Sequence, residues 1–343
     1  MSGALVVLAP GLHTTIQDRG RFGYQAFGVP VSGALDAECL EIANRLAGNA
    51  PETPALEMLY QGPTLEVETD SVRVAIAGAG AEIELLGASN RRLGGWRSIT
   101  LARGERFRVQ GLAAACAYLT VSGGMAVAPV LGSASTFARG GFGGWHGRAL
   151  QAGDRLPLGR DSAEERGELA LPDPPGPGLD RPIRLVLGPQ QDHFAEAALD
   201  TLLTAEFTVS QQADRMGLRL DGPTLPHRGD YNIVSDGIAT GAIQVPGSGQ
   251  PILLLADHQT TGGYPKIATV ISADLPLVGR RRPGDRVRFA AVGIAEAERL
   301  RRAERAALDA LLAKVTPLRA EGRLDLDRLF GANLISGVVF DNP

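Results

Sequence analysis

The stretch of the sequence that is richest in reactive side chains is residues 257–266, directly after an apolar run at 252–256 that predicts a buried strand. It combines an acid, a base, two hydroxyls, an amide, paired glycines, a phenol and an amine. The candidate site residues in this stretch are Asp257, His258, Gln259, Thr260, Thr261, Gly262, Gly263, Tyr264 and Lys266. Because a strand end is rigid and the following loop presents its side chains, this position favours catalysis or binding.

Five of these positions have definite chemical possibilities. His258 is able to move protons near neutral pH, with Asp257 orienting its ring. The backbone N–H groups of Gly262 and Gly263 are able to turn toward an anion, and Lys266 is able to neutralise developing negative charge. We predict Asp257, His258 and Lys266 as catalytic and the other polar positions as substrate-binding. The structural alternative is that Asp257 caps a turn while His258 and Lys266 are solvated surface groups.

Lysine is rare in this chain, which draws attention to Lys266. Of the 34 Lys and Arg residues only Lys266 and Lys314 are lysines. A codon bias toward arginine is the simplest explanation. A lysine that persists under such a bias can mark a position where arginine fails, because the two cations differ in hydration, shape and accessible pKa. Lys314 ends a predicted amphipathic helix, where a cation suits the helix dipole.

A second polar cluster, residues 14–23, contains the glycine-spaced run Arg-Gly-Arg-Phe-Gly. Arg19 or Arg21 is able to bind a carboxylate through both arms of its guanidinium, and Arg215 has the same ability further along the chain. We predict Gln17, Arg21 and Arg215 as substrate-binding residues. The alternative is a solvated turn with an Arg–Asp ion pair.

Composition and charge exclude several functional classes. A net charge of −4 and a pI near 5.8 give no general attraction for nucleic acid or an anionic membrane, and no apolar run is long enough to span a bilayer. The sequence has no P-loop, no complete dinucleotide fingerprint and no zinc-type histidine spacing, so we predict no metal site. Cys39 and Cys116 form no disulfide or metal pattern, and we expect a cytoplasmic protein.

The elements that must position these residues are mostly strands. The 44 glycines and 22 prolines separate short apolar runs, which is typical of a mostly β protein. Strands are predicted at 65–68, 72–76, 82–86, 98–101, 107–109, 117–121, 183–187, 207–210, 252–256, 269–272 and 286–290. Helices are predicted at 36–47, at 194–203 with Asp192 as its cap, and at 295–314, where an apolar stripe indicates docking or an interface.

A stretch of prolines and glycines at 171–178 divides the chain nearly in half, because each proline fixes φ and removes a backbone donor. The two parts share fragments, such as Gly-Pro-Thr-Leu at 62–65 and at 222–225. We therefore predict a first β-domain at 1–171, a linker at 172–182, a second β-domain at 183–292, and a C-terminal helix and tail at 293–343. The cleft between two related domains is the expected place for the site.

Longer motifs resemble the biotin-dependent carboxyltransferase-like family, also called allophanate hydrolase subunit 2-like. Before the Pro/Gly stretch these are Thr-Ile-Gln-Asp-Arg-Gly-Arg-Phe-Gly at 15–23, Gly-Val-Pro at 28–30, Gly-Ala-Leu-Asp at 33–36 and Ala-Leu-Glu at 55–57. After it they are Gln-Ala-Asp-Arg-Met-Gly-Leu-Arg-Leu at 212–220, Ser-Asp-Gly at 235–237, Gly-Ala-Ile-Gln-Val-Pro at 241–246 and the stretch 247–266. The similarity covers residues 3–290 and implies two cyclophilin-like β-barrel domains, in agreement with the mostly β pattern.

The resemblance implies one of three functions. In an ATP-dependent 5-oxoprolinase, the family member works together with a smaller homologous protein, the B subunit, and a hydrolytic protein, the A subunit, to cleave 5-oxo-L-proline to L-glutamate. In urea carboxylase, the equivalent region transfers CO₂ from carboxybiotin to urea. A sporulation regulator of the family instead binds an inhibitor of a histidine kinase. The cofactors implied are ATP with Mg²⁺, shared with the partner subunit, for the first function and biotin for the second.

The sequence favours the first function, because it contains no Met-Lys-Met for biotin attachment and no biotin carboxylase region. We expect one component of an enzyme complex that acts on a small-molecule lactam, with no nucleic-acid or membrane partner. In this interpretation Arg21 or Arg215 binds the carboxylate of 5-oxoproline. Lys266 and the neighbouring glycine amides stabilise charge on the lactam oxygen or on a transferred phosphoryl group, and His258 moves the proton.

Overall fold

The computed structural model describes residues 3–88 and 90–318 and is mostly β, with 34% strand and 17% helix. The predicted fold class, mostly β with a few helices and a helix near the C-terminus, is confirmed, and one sheet is nearly closed into a barrel. The α-helices in the described residues are α1 (Ala37–Ala47), α2 (Glu196–Thr204), α3 (Leu275–Gly279) and α4 (Ile294–Leu312). None of these helices is long and apolar enough to cross a membrane.

The strands fall into two groups along the chain, which we call the first half (3–171) and the second half (183–292). Those of the first half are β1 (Ala4–Ala9), β2 (His13–Gln17), β3 (Ala55–Leu59), β4 (Thr64–Val67), β5 (Ser71–Ala77), β6 (Glu82–Leu86), β7 (Arg91–Gly94), β8 (Arg97–Ala102), β9 (Arg106–Gln110), β10 (Cys116–Val121), β11 (Arg155–Pro157) and β12 (Leu169–Ala170). Those of the second half are β13 (Ile183–Leu187), β14 (Phe207–Asp214), β15 (Gly217–Asp221), β16 (Asp236–Gly237), β17 (Ala242–Gln244), β18 (Ile252–Leu254), β19 (Thr261–Gly262), β20 (Lys266–Val270), β21 (Arg286–Val287) and β22 (Phe289–Ala291). The short strand β23 (Thr316–Pro317) follows α4.

Two sheets of the first half enclose one apolar core. The six-stranded sheet has the order β11-β1-β4-β9-β6-β7, and the seven-stranded sheet has the order β2-β3-β10-β5-β8-β12-β23. Alternate residues of β4 and β9 point inward, so that Leu65 and Phe107 are fully buried. Leu56, Val74 and Leu119 meet them from the other sheet. Burial of these side chains is what holds the two sheets face to face.

The second half is built on an eight-stranded sheet with the order β21-β14-β15-β18-β17-β20-β13-β22. Neighbouring strands are antiparallel except for the parallel pair β13 and β22. Leu218, Leu220, Ile243 and Leu253 point into a core of their own. Because side chains alternate along a strand, the residues between them point to the opposite face of β15, β18 and β17, and that face becomes important below.

Helix α1 begins and ends where the sequence indicates, so the prediction at 36–47 is confirmed. The Asp36 carboxylate accepts a hydrogen bond from the backbone N–H of Cys39 at 3.1 Å, and Gly48 ends the helix with φ +74°. Its buried face packs on β5 and β10 together with Leu308 of α4. This third apolar cluster lies between the first half and the C-terminal helix.

Helix α2 begins later than the sequence predicted, and Asp192 does not cap it. Asp192 lies in a separate 3₁₀ turn, Gln191–His193. Phe194 is extended and forms an isolated bridge with His227, so the chain cannot become helical until Glu196. The interpretation of Asp192 as the cap is therefore wrong.

The C-terminal helix returns the chain to the first half. Arg305 of α4 donates to both carboxylate oxygens of Glu41 on α1, at 2.8 and 2.9 Å. Beyond α4, β23 pairs with β12 of the seven-stranded sheet. The helix predicted at 295–314 therefore docks within its own chain.

Residues 172–182 contain no helix or strand, and the predicted domain boundaries stay predictions.

A buried ion pair joins the two halves beside α1. Arg280, after α3, donates from Nε to Asp36 Oδ2 at 2.6 Å and from Nη2 to Asp36 Oδ1 at 3.1 Å. The Asp36 side chain is fully buried and that of Arg280 is 12% exposed. Burial alone would lower the pKa of Arg280, but the carboxylates of Asp36 and Glu38 raise it above its usual range.

We expect Asp36→Ala to lower the free energy of unfolding by about 3–5 kcal/mol, because it leaves the Arg280 charge buried without its partner and removes the cap of α1. Arg299→Ala is the matched control, since it breaks an exposed pair with Glu296 on α4 and should change stability very little. Urea unfolding followed by circular dichroism measures both. Equal stability of the two variants would contradict this role of Asp36.

Candidate functional site in the cleft between the two halves

Residues 257–266 lie at one end of the eight-stranded sheet, between β18 and β20. The strand predicted before them is shorter than expected and ends at Leu254. Within the stretch, β19 pairs with β16, and Lys266 begins β20. The stretch is thus a turn and a short strand pair held against the main sheet.

Arg215 links this stretch to the first half. It lies in the two-residue turn between β14 and β15, which the Asp214–Gly217 pair closes. Its Nε donates to Asp257 Oδ2 at 2.8 Å, its Nη2 donates to the Gly33 carbonyl at 2.7 Å, and its Nη1 contacts Glu57 Oε1 of β3. The arginine is 6% exposed. Two carboxylates of the chain itself therefore already occupy the guanidinium, and binding of substrate by Arg215 stays a prediction.

The charges around Arg215 compensate its burial. Desolvation alone would lower the pKa of Arg215, but the carboxylates of Glu57 and Asp257 raise it above its usual range. The other oxygen of Glu57 accepts from the Tyr118 hydroxyl at 2.5 Å and from the backbone N–H of Leu35 at 2.8 Å. Burial, followed by the Glu57 charge, raises the pKa of Tyr118 well above its usual value, so this hydroxyl keeps its proton.

His258 is buried and its ring is hydrogen-bonded locally. It is 1% exposed, with Nδ1 2.5 Å from the Gln259 carbonyl and Nε2 3.2 Å from the Thr240 hydroxyl. The Gln259 carbonyl requires Nδ1 to carry a proton, and in the neutral ring Nε2 then accepts from the Thr240 hydroxyl. Burial lowers the pKa of His258, so the ring is neutral at neutral pH. The Asp257 carboxylate binds Arg215 instead of orienting this ring, so the pairing expected from the sequence is wrong.

The glycine pair does not form the expected anion nest. Neither Gly262 nor Gly263 has positive φ, whereas a nest needs alternating right- and left-handed residues, and Gly262 lies in β19. Glycine at 262 instead allows close packing, because a Cβ there would lie 2.6 Å from the Gln244 amide nitrogen and 2.8 Å from Ile238. Thr260 is buried, and its carbonyl accepts the backbone N–H of Ile238 at 3.0 Å.

Lys266 is 2% exposed and is held by two polar side chains. Its Nζ donates to Asp236 Oδ2 at 3.1 Å, and its backbone N–H donates to Gln190 Oε1 at 3.0 Å. Gln190 Nε2 also donates to Asp236 Oδ2, at 3.2 Å. The hydrogen bond from Lys266 lowers the pKa of Asp236. Lys266 is also the cross-strand partner of Gln244, and directly paired residues point to the same face of a sheet.

Arg21, the other predicted arginine, is buried, and no carboxylate in the described part of the chain pairs with it. It is 1% exposed; its Nη2 contacts the Ser135 carbonyl, and its guanidinium lies 5.0 Å from the centroid of the Phe142 ring. Among the described residues Nε and Nη1 have no hydrogen-bond partner. Burial lowers the pKa of Arg21, and the charges of Asp18 and Asp257 partly oppose this.

Gln17, at the end of β2, is also fully buried. Its Nε2 donates to the Thr15 hydroxyl at 3.0 Å and to the Thr136 carbonyl at 3.2 Å. Its Oε1 has no hydrogen-bond partner among the described residues. Thr15 and Thr136 line a cavity between the halves, so Gln17 lies one residue layer behind that cavity.

Two adjoining cavities lie where the halves meet. The first, which we call the glutamine cavity, has a volume of about 440 Å³. Its polar lining residues are Gln212, Gln244, Gln259, Tyr264, Arg139, Arg219 and Asp214. The second, which we call the interface cavity, has a volume of about 230 Å³, and residues of both halves line it, including His13, Tyr60, Thr136, Arg215 and Asp257. Arg139, Asp214 and Met216 line both cavities, so the two cavities are adjacent and share this part of their lining.

The structure thus separates the predicted site residues into groups. Gln259 and Tyr264 line the glutamine cavity, and Asp257 and Arg215 border the interface cavity. The remaining predicted residues line neither of these cavities: Gln17, Arg21, His258, Thr260, Thr261, Gly262, Gly263 and Lys266. Their roles in catalysis or binding stay predictions.

Sequence reasoning missed several residues that line the glutamine cavity, namely Arg139, Gln212, Arg219 and Gln244. The sequence could have indicated Gln244, because it is a polar residue within the apolar strand β17. In the structure it forms a hydrogen bond with Gln259 at 3.2 Å. The sequence could not have indicated Arg139, because it comes from the first half and reaches the cavity only through the fold.

We expect the stabilising effect of His258 to decrease as the pH falls. Its pKa is lower in the folded protein than in the unfolded chain, so protons bind preferentially to the unfolded state below about pH 6.5. The difference in unfolding free energy between the wild type and His258→Gln should therefore shrink between pH 7.5 and pH 5, by at most about 1.4 kcal/mol per pH unit. Urea unfolding across this range measures it, and a constant difference would contradict a neutral buried ring.

Comparison with protein families gives one match that covers most of the chain. Residues 27–291 match the family described as carboxyltransferase domain, subdomain A and B. The matched region begins before α1 and ends at β22, so it includes every strand of the second half and those of the first half from β3 onward, while β1 and β2 lie before it.

Two curated relatives are similar over nearly their whole lengths. The chain is 39% identical to the C subunit of 5-oxoprolinase from Escherichia coli over 304 residues, which is 87% of this chain and 94% of the relative. It is 38% identical to the C subunit of 5-oxoprolinase from Haemophilus influenzae over 295 residues, which is 86% of this chain and 93% of the relative.

A solved structure of a larger enzyme shares the fold. The urea amidolyase of Kluyveromyces lactis superposes with a TM-score of 0.81 and 30% sequence identity, and the match covers 91% of this chain but 20% of that enzyme. The superposition with this structure agrees with the arrangement of sheets described above. The chain therefore belongs to the carboxyltransferase domain family with subdomains A and B, and its relatives include the C subunit of 5-oxoprolinase.

Proposed function

We propose that this protein is one component of an ATP-dependent 5-oxoprolinase complex that cleaves 5-oxo-L-proline to L-glutamate. The observation that carries the proposal is the match to the C subunit of 5-oxoprolinase over 94% of that relative's length. The urea amidolyase match covers 20% of that enzyme's length. A relative that is itself a separate subunit supports a function within a complex of several proteins. The proposed partners are the smaller homologous B subunit and the hydrolytic A subunit.

The chemistry of the glutamine cavity suits a small amide. Three glutamine side chains and the Tyr264 hydroxyl offer both donors and acceptors to an amide N–H and C=O. The Gln244 amide is already positioned, since its Oε1 accepts from Gln259 and its Nε2 is 3.5 Å from the Tyr264 carbonyl. A lactam ring bound here would have both of its polar edges paired, as a buried polar group requires.

Lys266 is the residue we propose for charge stabilisation. Its side chain points to the same face of the sheet as Gln244, which lines the cavity, and its Nζ has a single described partner, Asp236. A buried ammonium beside the reacting amide would stabilise negative charge on the amide oxygen as it develops. His258 and Asp257, whose hydrogen bonds are already used within the chain, would act in this proposal by positioning the stretch.

ATP and Mg²⁺ belong to this proposal as cofactors of the complex. Among the described residues no group of three His, Cys, Asp or Glu side chains is arranged to hold a metal ion, and the glutamine cavity has a single carboxylate, Asp214. Mg²⁺ bound with a nucleotide usually takes one or two carboxylates together with the phosphates. These residues alone do not fit a complete site, so we propose that the partner subunit supplies most of it.

A carboxyltransferase acting on urea or another amide is the second candidate, and the fold of the Kluyveromyces lactis urea amidolyase favours it. Biotin would then be the cofactor that delivers the carboxyl group. The interface cavity, with Leu12, Leu59 and Met216 in its lining, offers apolar contact for a ring. Its polar neighbours, the three glutamines, would bind a urea as readily as a lactam.

We expect the chain, purified with the A and B subunits, to release glutamate from 5-oxoproline with equimolar consumption of ATP. Amino-acid analysis and a coupled ADP assay measure the two products. Omission of this chain should abolish turnover. Decarboxylation of added carboxybiotin that depends on urea, with no release of glutamate, would contradict the proposal and support the carboxyltransferase.

We expect Lys266→Met to reduce turnover of 5-oxoproline by about 100-fold or more, because it removes one preorganised charge while retaining most of the buried volume. Lys266→Arg should also lose activity, since a larger planar cation does not fit the 2% exposed space beside Asp236. Lys314→Arg, at an exposed position beyond α4, is the matched control and should keep full activity. Thermal unfolding shows whether each variant is folded, and full activity of folded Lys266→Arg would contradict the role.

A further inference from the structure

The floor of the glutamine cavity is an apolar sheet surface. Gly217 of β15 pairs with Leu254 of β18, and Arg219 pairs with Ile252, so these residues share the face opposite the second-half core. Ile252 and Leu254 belong to a small apolar cluster with Ile238 and Ala242. A ligand on this floor therefore lies on aliphatic side chains, while amides and arginines surround its edges.

Two arginines at the edge of this floor are available to a ligand. Arg219 is exposed on β15, and its side chain makes no ion pair or hydrogen bond with a described residue. Arg139, from the first half, has one carboxylate within ion-pair range among residues 3–88 and 90–318, that of Asp214 at 3.8 Å. Asp214 Oδ1 is already used by the backbone N–H groups of Met216 and Gly217, at 2.7 and 3.2 Å. The cavity thus presents more positive than negative charge.

The other two arginines near the cleft cannot serve a ligand in the same way. The guanidinium of Arg215 is bound by Glu57 and Asp257 and lies at the border of the interface cavity. Arg21 is 1% exposed beneath Phe142 and lines neither cavity. A carboxylate entering the glutamine cavity would meet Arg219 and Arg139 first.

We propose that the glutamine cavity selects an anionic cyclic amide and that Arg219, with Arg139, binds its carboxylate. This inference rests on the proposed function and replaces Arg21 and Arg215 as the carboxylate-binding residues. The three required features occur together: an aliphatic floor for ring CH₂ groups, glutamine amides for the lactam N–H and C=O, and a guanidinium for the carboxylate. Urea, which is neutral and has no CH₂ groups, would use the amides alone.

The test compares Arg219→Gln, Arg219→Lys and Arg286→Gln in the reconstituted complex of three proteins. Arg286 lies on β21 of the same sheet, exposed and paired with Glu206, so it controls for loss of one surface charge. We expect Arg219→Gln to raise KM for 5-oxoproline by about 10- to 100-fold with a smaller change in kcat, because a charge-assisted bidentate pair is lost. Arg219→Lys should lie between it and the wild type, Arg286→Gln should match the wild type, and KM for ATP should not change.

A direct measurement of 5-oxoproline binding tests the proposal without depending on turnover. Calorimetric titration of the complex with 5-oxoproline should show binding in the wild type and Arg286→Gln and a weaker affinity in Arg219→Gln. If the wild type binds 5-oxoproline in this way but does not cleave it, the proposed function fails and the anion site stands. An unchanged KM and affinity in folded Arg219→Gln, or a rise in KM for ATP alone, would overturn the proposal, and the latter would assign the arginines to phosphate.

Discussion

The guanidinium of Arg215 is buried between two carboxylates that come from different halves of the chain. Asp257 begins the polar stretch of the second half, and Glu57 lies in the middle of β3 in the first half. Removing either carboxylate would leave a buried charge with half of its compensation, which is costly at low dielectric. This contact therefore fixes the start of the stretch against the first half. Both cavities adjoin this contact, because Arg215 and Asp257 border one, and Asp214 and Met216, on either side of Arg215, line the other.

The site itself lies on the face of the sheet that the core does not use. Strand alternation buries Leu218, Leu220 and Leu253 and turns Arg219 and Ile252 outward. In most antiparallel sheets such a face is covered by water, but here the first half approaches it through Arg139. The result is a cleft with an aliphatic floor and polar edges. The chemistry of the cleft depends on the side chains that point to this face of the sheet, such as Arg219 and Ile252, and on Arg139 from the first half.

The charged side chains that the sequence analysis singled out are largely bound or enclosed by other residues of the chain. The arginines that the sequence singled out are largely structural in position: Arg215 is neutralised by two carboxylates, and Arg21 is enclosed under an aromatic ring. Lys266, a rare residue type in this chain, is buried beside Asp236 on the same face of the sheet as Gln244. A compact ammonium fits such a space better than a planar guanidinium, which gives the lysine a physical reason to persist in an arginine-rich chain.

The sequence by itself determined the mostly β class, helix α1 with its Asp36 cap and the helix near the C-terminus, because each depends on local periodicity or capping. It did not determine the partners of the polar side chains. The neighbouring dipeptide Asp257–His258 predicted one catalytic pair, whereas the fold gives Asp257 to Arg215 and His258 to Thr240. Only the tertiary structure decided these contacts, because they join residues 18 to 158 positions apart, and local sequence carries no information about contacts over such separations.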